Sequence, residues 1–254
     1  MEKKYKLTDE TINIANKTLY RIEALKDFAN VKKGDKGGFV EKEENLSQSG
    51  DCWVYGDAVV YGDANVYDDA VICDKAKVCD NAVISDKATI SGDAEVYGNA
   101  EVYDHAIILD SAQVYGNAVV YGDTIVCGSA KIYGNAVVCD DAEVYDNAVV
   151  HGEAQVYGHA LVYGNMEIYG NAWVYGDAEV YDDAKVFGSA KIFGDAQVYG
   201  DTLVCDNAQI YGKAAVHDDA VVCDNAIVCD NAEVYEDAVV CGDMVICGNA
   251  VVYD

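Results

Sequence analysis

The 254-residue chain has a formal net charge of −28, with 45 acidic side chains against 17 lysines and arginines. Such an acidic protein is a poor partner for nucleic acid itself, because it repels phosphate. No run of about 18 apolar residues occurs, which argues against a membrane-spanning helix.

Residues 1–51 follow no regular repeat. The first eight residues are charged and lack an apolar stretch, so we expect no signal peptide. The pattern predicts a strand over Leu19 to Leu25 and, over Val31 to Val40, a loop that enters an irregular first coil. Because the end of a solenoid exposes an open sheet edge, we expect residues 1–51 to form an N-terminal cap and a degenerate first coil.

Residues 52–254 are one six-residue phrase repeated without a break, as in Ala94-Glu95-Val96-Tyr97-Gly98-Asn99. Counting from Val54 to Val252, every sixth residue is Val or Ile in 34 of 34 cases. The residue two places earlier is Ala in 29 of those 34 units. A fixed short period of this kind is typical of a solenoid.

Side chains two apart in a strand share a face, so the Ala and Val of each unit are predicted to point inward. After the Tyr position, each unit has Gly or Asp and then Asn, Asp, Lys or Ser. These two residues predict a tight corner, since Gly, Asn and Asp tolerate positive φ. One strand and one corner in six residues suit a three-sided coil of 18. The sequence therefore predicts an all-β fold, a three-sided parallel β-helix of about 11 coils over residues 52–254.

The repeat resembles the left-handed parallel β-helix of the hexapeptide-repeat superfamily, and this resemblance alone implies the left hand. The N-terminal segment, with Gly37-Gly38-Phe39-Val40 and then Asn45 to Trp53, resembles the YdcK-type hexapeptide-repeat proteins of bacteria and their phages. That resemblance implies an N-terminal cap on a left-handed β-helix.

Residues 18 apart share a corner, and the three corners differ in charge. The first corner contains residues 182 and 183, the second 206 and 207, and the third 212 and 213. Residues 1–51 hold ten basic and ten acidic side chains, so the repeat carries the whole net charge. A candidate acidic ridge for binding a partner lies on the first corner and consists of Asp182, Asp183, Asp201, Asp218, Asp219, Glu236 and Asp237.

Apolar residues flank the second corner in the C-terminal part of the chain. Exposed apolar patches often mark interfaces, so we expect a homodimer formed through the C-terminal ends. The candidate interface residues are Leu203, Val221, Val239, Ile227, Val245 and Val252.

Nine of the ten cysteines occupy the Tyr position of the repeat, and no CxxC pair occurs. We therefore expect free, structural thiols in a reducing cytoplasm, with no metal and no cofactor. A zinc site and calcium between stacked aspartates are the alternatives, but the nine-residue calcium repeat is absent.

Many left-handed hexapeptide proteins are acyltransferases that resemble one another in using a histidine at a coil interface. The four histidines here, His105, His151, His159 and His217, lie at Tyr or corner positions, and no loop leaves the repeat to build a pocket. We expect a non-catalytic acidic scaffold that binds a basic, nucleic-acid-binding protein, with a charge density close to that of DNA. A phage protein that blocks a host enzyme would fit, and an acyl-CoA-dependent acyltransferase is the alternative.

Overall fold

The computed structural model describes residues 3–254, which form two compact units, the first ending at Asp123 and the second spanning Thr124–Asp254. Both are all-β and consist of parallel β-solenoid coils, about 12 in total, with strands in three parallel sheets. The only helical element in the described range is a 3₁₀ turn, Glu43–Asn45. The predicted fold class is confirmed.

The first unit begins with an antiparallel hairpin of β1 (Tyr5–Ile14) and β2 (Lys17–Ala24). Strand β2 confirms the strand predicted from Leu19. It also pairs antiparallel with β3 (Lys36–Val40). The other edge of β3 pairs in parallel with Val59–Val60 of the repeat. The hairpin therefore covers a backbone edge that the first coil would otherwise expose.

Twelve two-residue strands follow in the first unit: β4 (Trp53–Val54), β5 (Val59–Val60), β6 (Asn65–Val66), β7 (Val71–Ile72), β8 (Lys77–Val78), β9 (Val83–Ile84), β10 (Thr89–Ile90), β11 (Glu95–Val96), β12 (Glu101–Val102), β13 (Ile107–Ile108), β14 (Gln113–Val114) and β15 (Val119–Val120). Each pairs in parallel with the strand 18 residues away, for example Glu95 with Gln113. Strands β5, β8, β11 and β14 thus extend the sheet of the hairpin.

The second unit repeats this pattern with 22 strands: β16 (Ile125–Val126), β17 (Lys131–Ile132), β18 (Val137–Val138), β19 (Glu143–Val144), β20 (Val149–Val150), β21 (Gln155–Gly158), β22 (Leu161–Val162), β23 (Glu167–Ile168), β24 (Trp173–Gly176), β25 (Glu179–Val180), β26 (Lys185–Val186), β27 (Lys191–Gly194), β28 (Gln197–Val198), β29 (Leu203–Val204), β30 (Gln209–Gly212), β31 (Ala215–Val216), β32 (Val221–Val222), β33 (Ile227–Val228), β34 (Glu233–Val234), β35 (Val239–Val240), β36 (Val245–Ile246) and β37 (Val251–Val252). Its strands also pair in parallel at a spacing of 18 residues, as Val221 does with Val239.

The irregular segment before the repeat forms a coil of its own. Strand β3 lies beneath β5, and Leu46 forms a parallel bridge with Val66. Counting this coil raises the total from about 11 in the repeat to about 12. It lies where the sequence predicts a degenerate first coil, and the count of 11 omits it because residues 36–51 lack the Ala and Val spacing.

The interior contains the residues that the period predicts. The repeated Val and Ile are at most 1% exposed from Val54 to Val240, and Ala at the preceding inward position is equally covered. The larger or polar residues Met166, Thr124 and Thr202 replace Ala at this position and are fully buried. The core of each coil is therefore a thin layer of small and β-branched side chains.

A different set of side chains fills the first coil. The ring of Trp53 packs edge-on against Tyr5 and Phe28, with centroids 6.1 and 5.3 Å away. The ammonium of Lys4, on a residue only 1% exposed, donates to the Cys52 carbonyl at 2.9 Å. Burial lowers the pKa of Lys4, and the backbone carbonyls around it offset part of its lost hydration.

Gly37 and Gly38 lie where β3 approaches the next coil. A Cβ on Gly38 would contact the Ala58 carbonyl oxygen and lie 2.6 Å from Val54 Cγ1. Neither neighbour can move freely, because one is backbone and the other belongs to the core. This close approach explains why two glycines occur together inside a strand.

Gly38→Ala should therefore destabilise the protein by about 1–3 kcal/mol, as other overpacked cores do. Thermal unfolding followed by circular dichroism measures this. Ser129→Ala is the control, because Ser129 is an exposed corner residue and the substitution adds no atom to a close contact. An unchanged melting temperature for Gly38→Ala would contradict the close approach.

Candidate functional site

The acidic ridge lies on the first corner of the second unit, and all seven of its residues are exposed. A shallow depression of about 320 Å³ is lined by Asp182, Asp183, Asp201, Asp218 and Asp219, with Gly200 between them. In the next coil the backbone N–H of Glu236 donates to Asp218 Oδ2 at 3.3 Å. The structure thus brings five of the predicted ridge residues around one concave surface.

Few contacts neutralise these carboxylates. Asp183 accepts a hydrogen bond from Asn165 Nδ2 at 3.1 Å, and His217 Nδ1 lies 3.2 Å from Asp218 Oδ2. Within residues 3–254, no lysine or arginine forms an ion pair with the ridge. The ridge therefore keeps most of its negative charge exposed to solvent.

Aspartate at the corners also has a structural role. Asp182 and Asp218 adopt φ of 61, the left-handed conformation predicted for these corners. At many corners the carboxylate accepts the N–H of the residue 18 positions later, as Asp80 does from Gly98 at 3.1 Å. The sequence did not predict this contact. Its signal is an Asp at the first position of a corner, because that residue stacks beside the backbone N–H of the residue 18 positions later. Part of the acidic composition thus stabilises coil stacking.

Aromatic rings form a ladder beside the ridge. Tyr145, Tyr163, Tyr181 and Tyr199 stack with ring centroids 4.8–4.9 Å apart, as predicted. His217, Tyr235 and Tyr253 continue the same stack. Each inner ring has neighbours on both faces, so a sugar could not stack on it. Burial, reinforced by the neighbouring tyrosines, raises the pKa of Tyr181 to about 12.

Comparison with known families agrees with this architecture. The YdcK beta solenoid repeat matches residues 112–128 and 154–166. The chain carries the YdcK β-solenoid repeat. The match lies inside the regular repeat, whereas the sequence resemblance rested on the segment around Gly37 to Trp53. No curated protein matches the chain.

The described residues of this YdcK-type solenoid include no helix long and apolar enough to cross a membrane. A cytoplasmic location stays a prediction.

Two of the four histidines replace tyrosine inside ring stacks of the YdcK-type repeat. The His151 ring lies 4.7 Å from Tyr133 and 5.2 Å from Tyr169, and its Nε2 is 2.9 Å from Glu167 Oε1. His217 likewise stacks on Tyr199 at 4.7 Å. Both imidazoles therefore continue an aromatic ladder.

The other two histidines are exposed and face aspartates at corners. His105 Nδ1 lies 3.3 Å from Asp123, and His159 Nδ1 lies 3.5 Å from Asp141. These contacts fit surface residues of the third corner.

The predicted apolar residues lie on three sheets of the YdcK-type solenoid, with Val252 alone on the sheet of β34 and β37. Leu203 pairs with Val221 and Val221 with Val239 in one sheet, while Ile227 pairs with Val245 in another. Val239 and Val245 are 57% and 58% exposed, and the remaining residues, including Val252, are half-buried. The homodimer stays a prediction.

The ten cysteines of the YdcK-type solenoid are all free thiols. Near the C-terminus, stacking brings two thiols and a carboxylate together twice, with each set of three ligand atoms within 4.8 Å. One set is Cys223, Asp224 and Cys241, and the other is Cys229, Asp230 and Cys247. Cysteines 18 apart are visible in the sequence, where a zinc site is the alternative to structural thiols, but the sequence did not predict the aspartate in each set.

The tyrosine ladder predicts a loss of stability in alkali. A raised pKa means that the folded state holds the phenol proton more tightly than the unfolded chain, whose model value is 10.0. The contribution of Tyr181 should therefore be complete below pH 10 and be lost as pH rises to about 12.

Melting temperature measured between pH 8 and 12 tests this expectation. Tyr181→Phe should make the decline shallower, whereas Tyr67→Phe, outside the second unit, should leave the slope unchanged. An identical decline in wild type and Tyr181→Phe would contradict the prediction.

Proposed function

We propose that this solenoid is a non-catalytic protein-binding module whose acidic ridge docks a basic, nucleic-acid-binding protein. The observation that carries the proposal is the depression lined by five aspartates without a lysine or arginine partner. A concave surface with unpaired charge of one sign focuses its field and attracts groups of the opposite sign.

The carboxylates of the ridge are available to a partner. Asp182, Asp201, Asp219 and Asp237 form no side-chain hydrogen bond or ion pair within residues 3–254. Their charge therefore contributes nothing to contacts inside the described chain. Lysine and arginine side chains of a partner would replace water around these carboxylates and form charge-assisted hydrogen bonds.

The spacing of these charges supports the finer hypothesis of DNA mimicry. Successive coils are about 4.8 Å apart, and most coils place two acidic residues on the ridge. Seven charges over four coils correspond to one charge per about 2.7 Å, against about 1.7 Å of axis in duplex DNA. The second unit as a whole holds 22 acidic residues and four lysines. A protein groove adapted to phosphates would meet a comparable density of carboxylates.

The tyrosine ladder adds neutral hydrogen-bonding groups beside the charges. Tyr181 directly precedes Asp182, and Tyr199 lies one residue before Gly200 of the depression. Because ring stacking covers the ring faces, the hydroxyl edges remain for a partner. An arginine fork can engage a carboxylate and a neighbouring hydroxyl at once.

Partner capture tests the proposal. The wild-type chain, immobilised and exposed to a bacterial lysate at 0.1 M salt, should recover proteins that bind DNA and that added duplex DNA releases. Recovery should fall steeply as salt rises, because the Debye length is about 10 Å at 0.1 M and about 3 Å at 1 M. Replacing Asp182, Asp183, Asp218 and Asp219 by Asn should abolish the capture.

The matched control replaces four aspartates of the third corner in the same unit, Asp140, Asp141, Asp177 and Asp195, by Asn. It removes the same charge but leaves the ridge intact, so capture should persist. If both variants captured the same amount of partner, binding would depend on net charge alone, and a site specific to the ridge would be contradicted. Binding of acetyl-CoA in calorimetry, with no salt-sensitive partner, would favour an acyltransferase instead.

We also propose self-association through the exposed apolar residues of the last coils. Val239, Val245 and Val251 are each more than half exposed, and Tyr253 is 63% exposed. A double Val239→Lys and Val245→Lys variant should be monomeric in light scattering at concentrations where wild type is dimeric. Tyr67→Lys, in the first unit, is the control. A monomeric wild type at high micromolar concentration would contradict the dimer.

A further inference from the structure

Two side-chain clusters outside the acidic ridge combine soft and hard metal ligands. The second-corner cluster consists of Cys223, Asp224 and Cys241, and the third-corner cluster consists of Cys229, Asp230 and Cys247. In each cluster the two sulfurs and a carboxylate oxygen lie within 4.8 Å of one another. The proposed partner binding uses neither cluster.

Coil stacking positions the sulfurs. Val222 pairs with Val240 in parallel register, and the next residue of each strand is a cysteine of the second-corner cluster. The third-corner cluster follows in the same way from the pairing of Val228 with Ile246. Because neighbouring coils are about 4.8 Å apart, thiols at equivalent positions face each other across one coil spacing.

Hydrogen bonds hold both carboxylates in place. Asp224 adopts φ of 58 and its Oδ2 accepts the N–H of Gly242 at 2.9 Å. Asp230 adopts φ of 61 and its Oδ2 accepts the N–H of Gly248 at 3.1 Å. A carboxylate has about four lone-pair sites, so this contact leaves acceptor capacity for a cation. Each aspartate is therefore oriented by a hydrogen bond from the backbone, as metal-ligating side chains in proteins commonly are.

We propose that each cluster binds one thiophilic divalent cation through two cysteine thiolates and one aspartate carboxylate. Zinc and cadmium prefer such sulfur-containing sets in tetrahedral geometry, which leaves a fourth position for water. With Zn–S bonds of about 2.3 Å, the two sulfurs would lie about 3.8 Å apart. The sulfurs already lie within 4.8 Å of each other, so they would have to approach by at most about 1 Å.

Exposure favours access by the cation. Cys247 is exposed, Cys223 and Cys241 are half-buried, and both aspartates are exposed. Only Cys229 is buried, and it forms the inner side of its cluster. On binding, the two thiols of each cluster release their protons to solvent, so the cation gains two thiolates and one carboxylate.

Titration of the fully reduced full-length protein with Cd²⁺ alone tests the proposal. Sulfur-to-cadmium charge-transfer absorbance in the ultraviolet should saturate at two Cd²⁺ per chain. Replacing both cysteines of either cluster by Ser should reduce this to one Cd²⁺ and halve the amplitude. Asp224→Asn should weaken binding at one site several-fold without removing the absorbance.

The control is a Cys73→Ser and Cys79→Ser variant. Residues 18 positions from these cysteines are Tyr55, Ser91, Tyr61 and Tyr97, so stacking offers them no second thiol. This variant should still bind two Cd²⁺. Equal stoichiometry in the control and in the cluster variants, or no charge-transfer absorbance in wild type, would overturn the proposal.

Alkylation of the wild-type protein provides a test that does not depend on folding of the variants. Saturating Cd²⁺ should protect Cys241 and Cys247 from iodoacetamide, as measured by mass spectrometry, while Cys73 reacts at the same rate. Equal labelling of all three with and without Cd²⁺ would contradict binding at the clusters.

Discussion

The fold depends on backbone hydrogen bonds between coils that keep residues 18 apart in register. Within the first unit the N–H of Lys77 donates to the Ala94 carbonyl at 2.9 Å, and in the second Val221 donates to Ala238 at 2.9 Å. Most strands of the repeat contain only two residues, so no coil has enough contacts to fold alone. This register requires a six-residue repeat without insertions or deletions, because one extra residue would turn every later side chain to another face.

Register also stacks each residue type on its own kind, with opposite consequences for different side chains. Stacked amides bond to each other, as Asn81 does to Asn99 at 2.9 Å, and stacked tyrosines cover each other's faces. Stacked carboxylates repel. The corner contact between Asp218 and the N–H of Glu236 offsets part of that repulsion by placing a donor beside the charge. Aspartates without such a contact add to the repulsion and remain open to a cationic partner.

Much of this architecture could be predicted, because the period determines which residues point inward and which form corners. The burial of Val96 and the tyrosine ladder through Tyr181 follow from spacing alone. The first coil around Gly38 could not be counted, since its fit depends on Trp53 and the hairpin rather than on the repeat. The carboxylate-to-amide contacts and the ligand sets of the cysteine clusters could not be predicted, because a spacing of 18 shows which residues stack but not which side-chain atoms approach each other.

The same reasoning separates structural acidity from functional acidity. Asp80 and Asp104 form coil-to-coil hydrogen bonds, so their carboxylates have a sufficient explanation in the fold. Asp201 and Asp219 follow the left-handed corner residue and form no side-chain contact within residues 3–254, yet both border the depression. A solenoid that needed acid only for its corners would tolerate Asn, Ser or Lys at these second positions, as it does at Asn99, Ser129 and Lys213. Within residues 3–254 the third corner also has exposed aspartates without a side-chain contact, Asp177 and Asp195. The first corner differs because its aspartates line a depression, and this geometry is what supports the proposed partner binding.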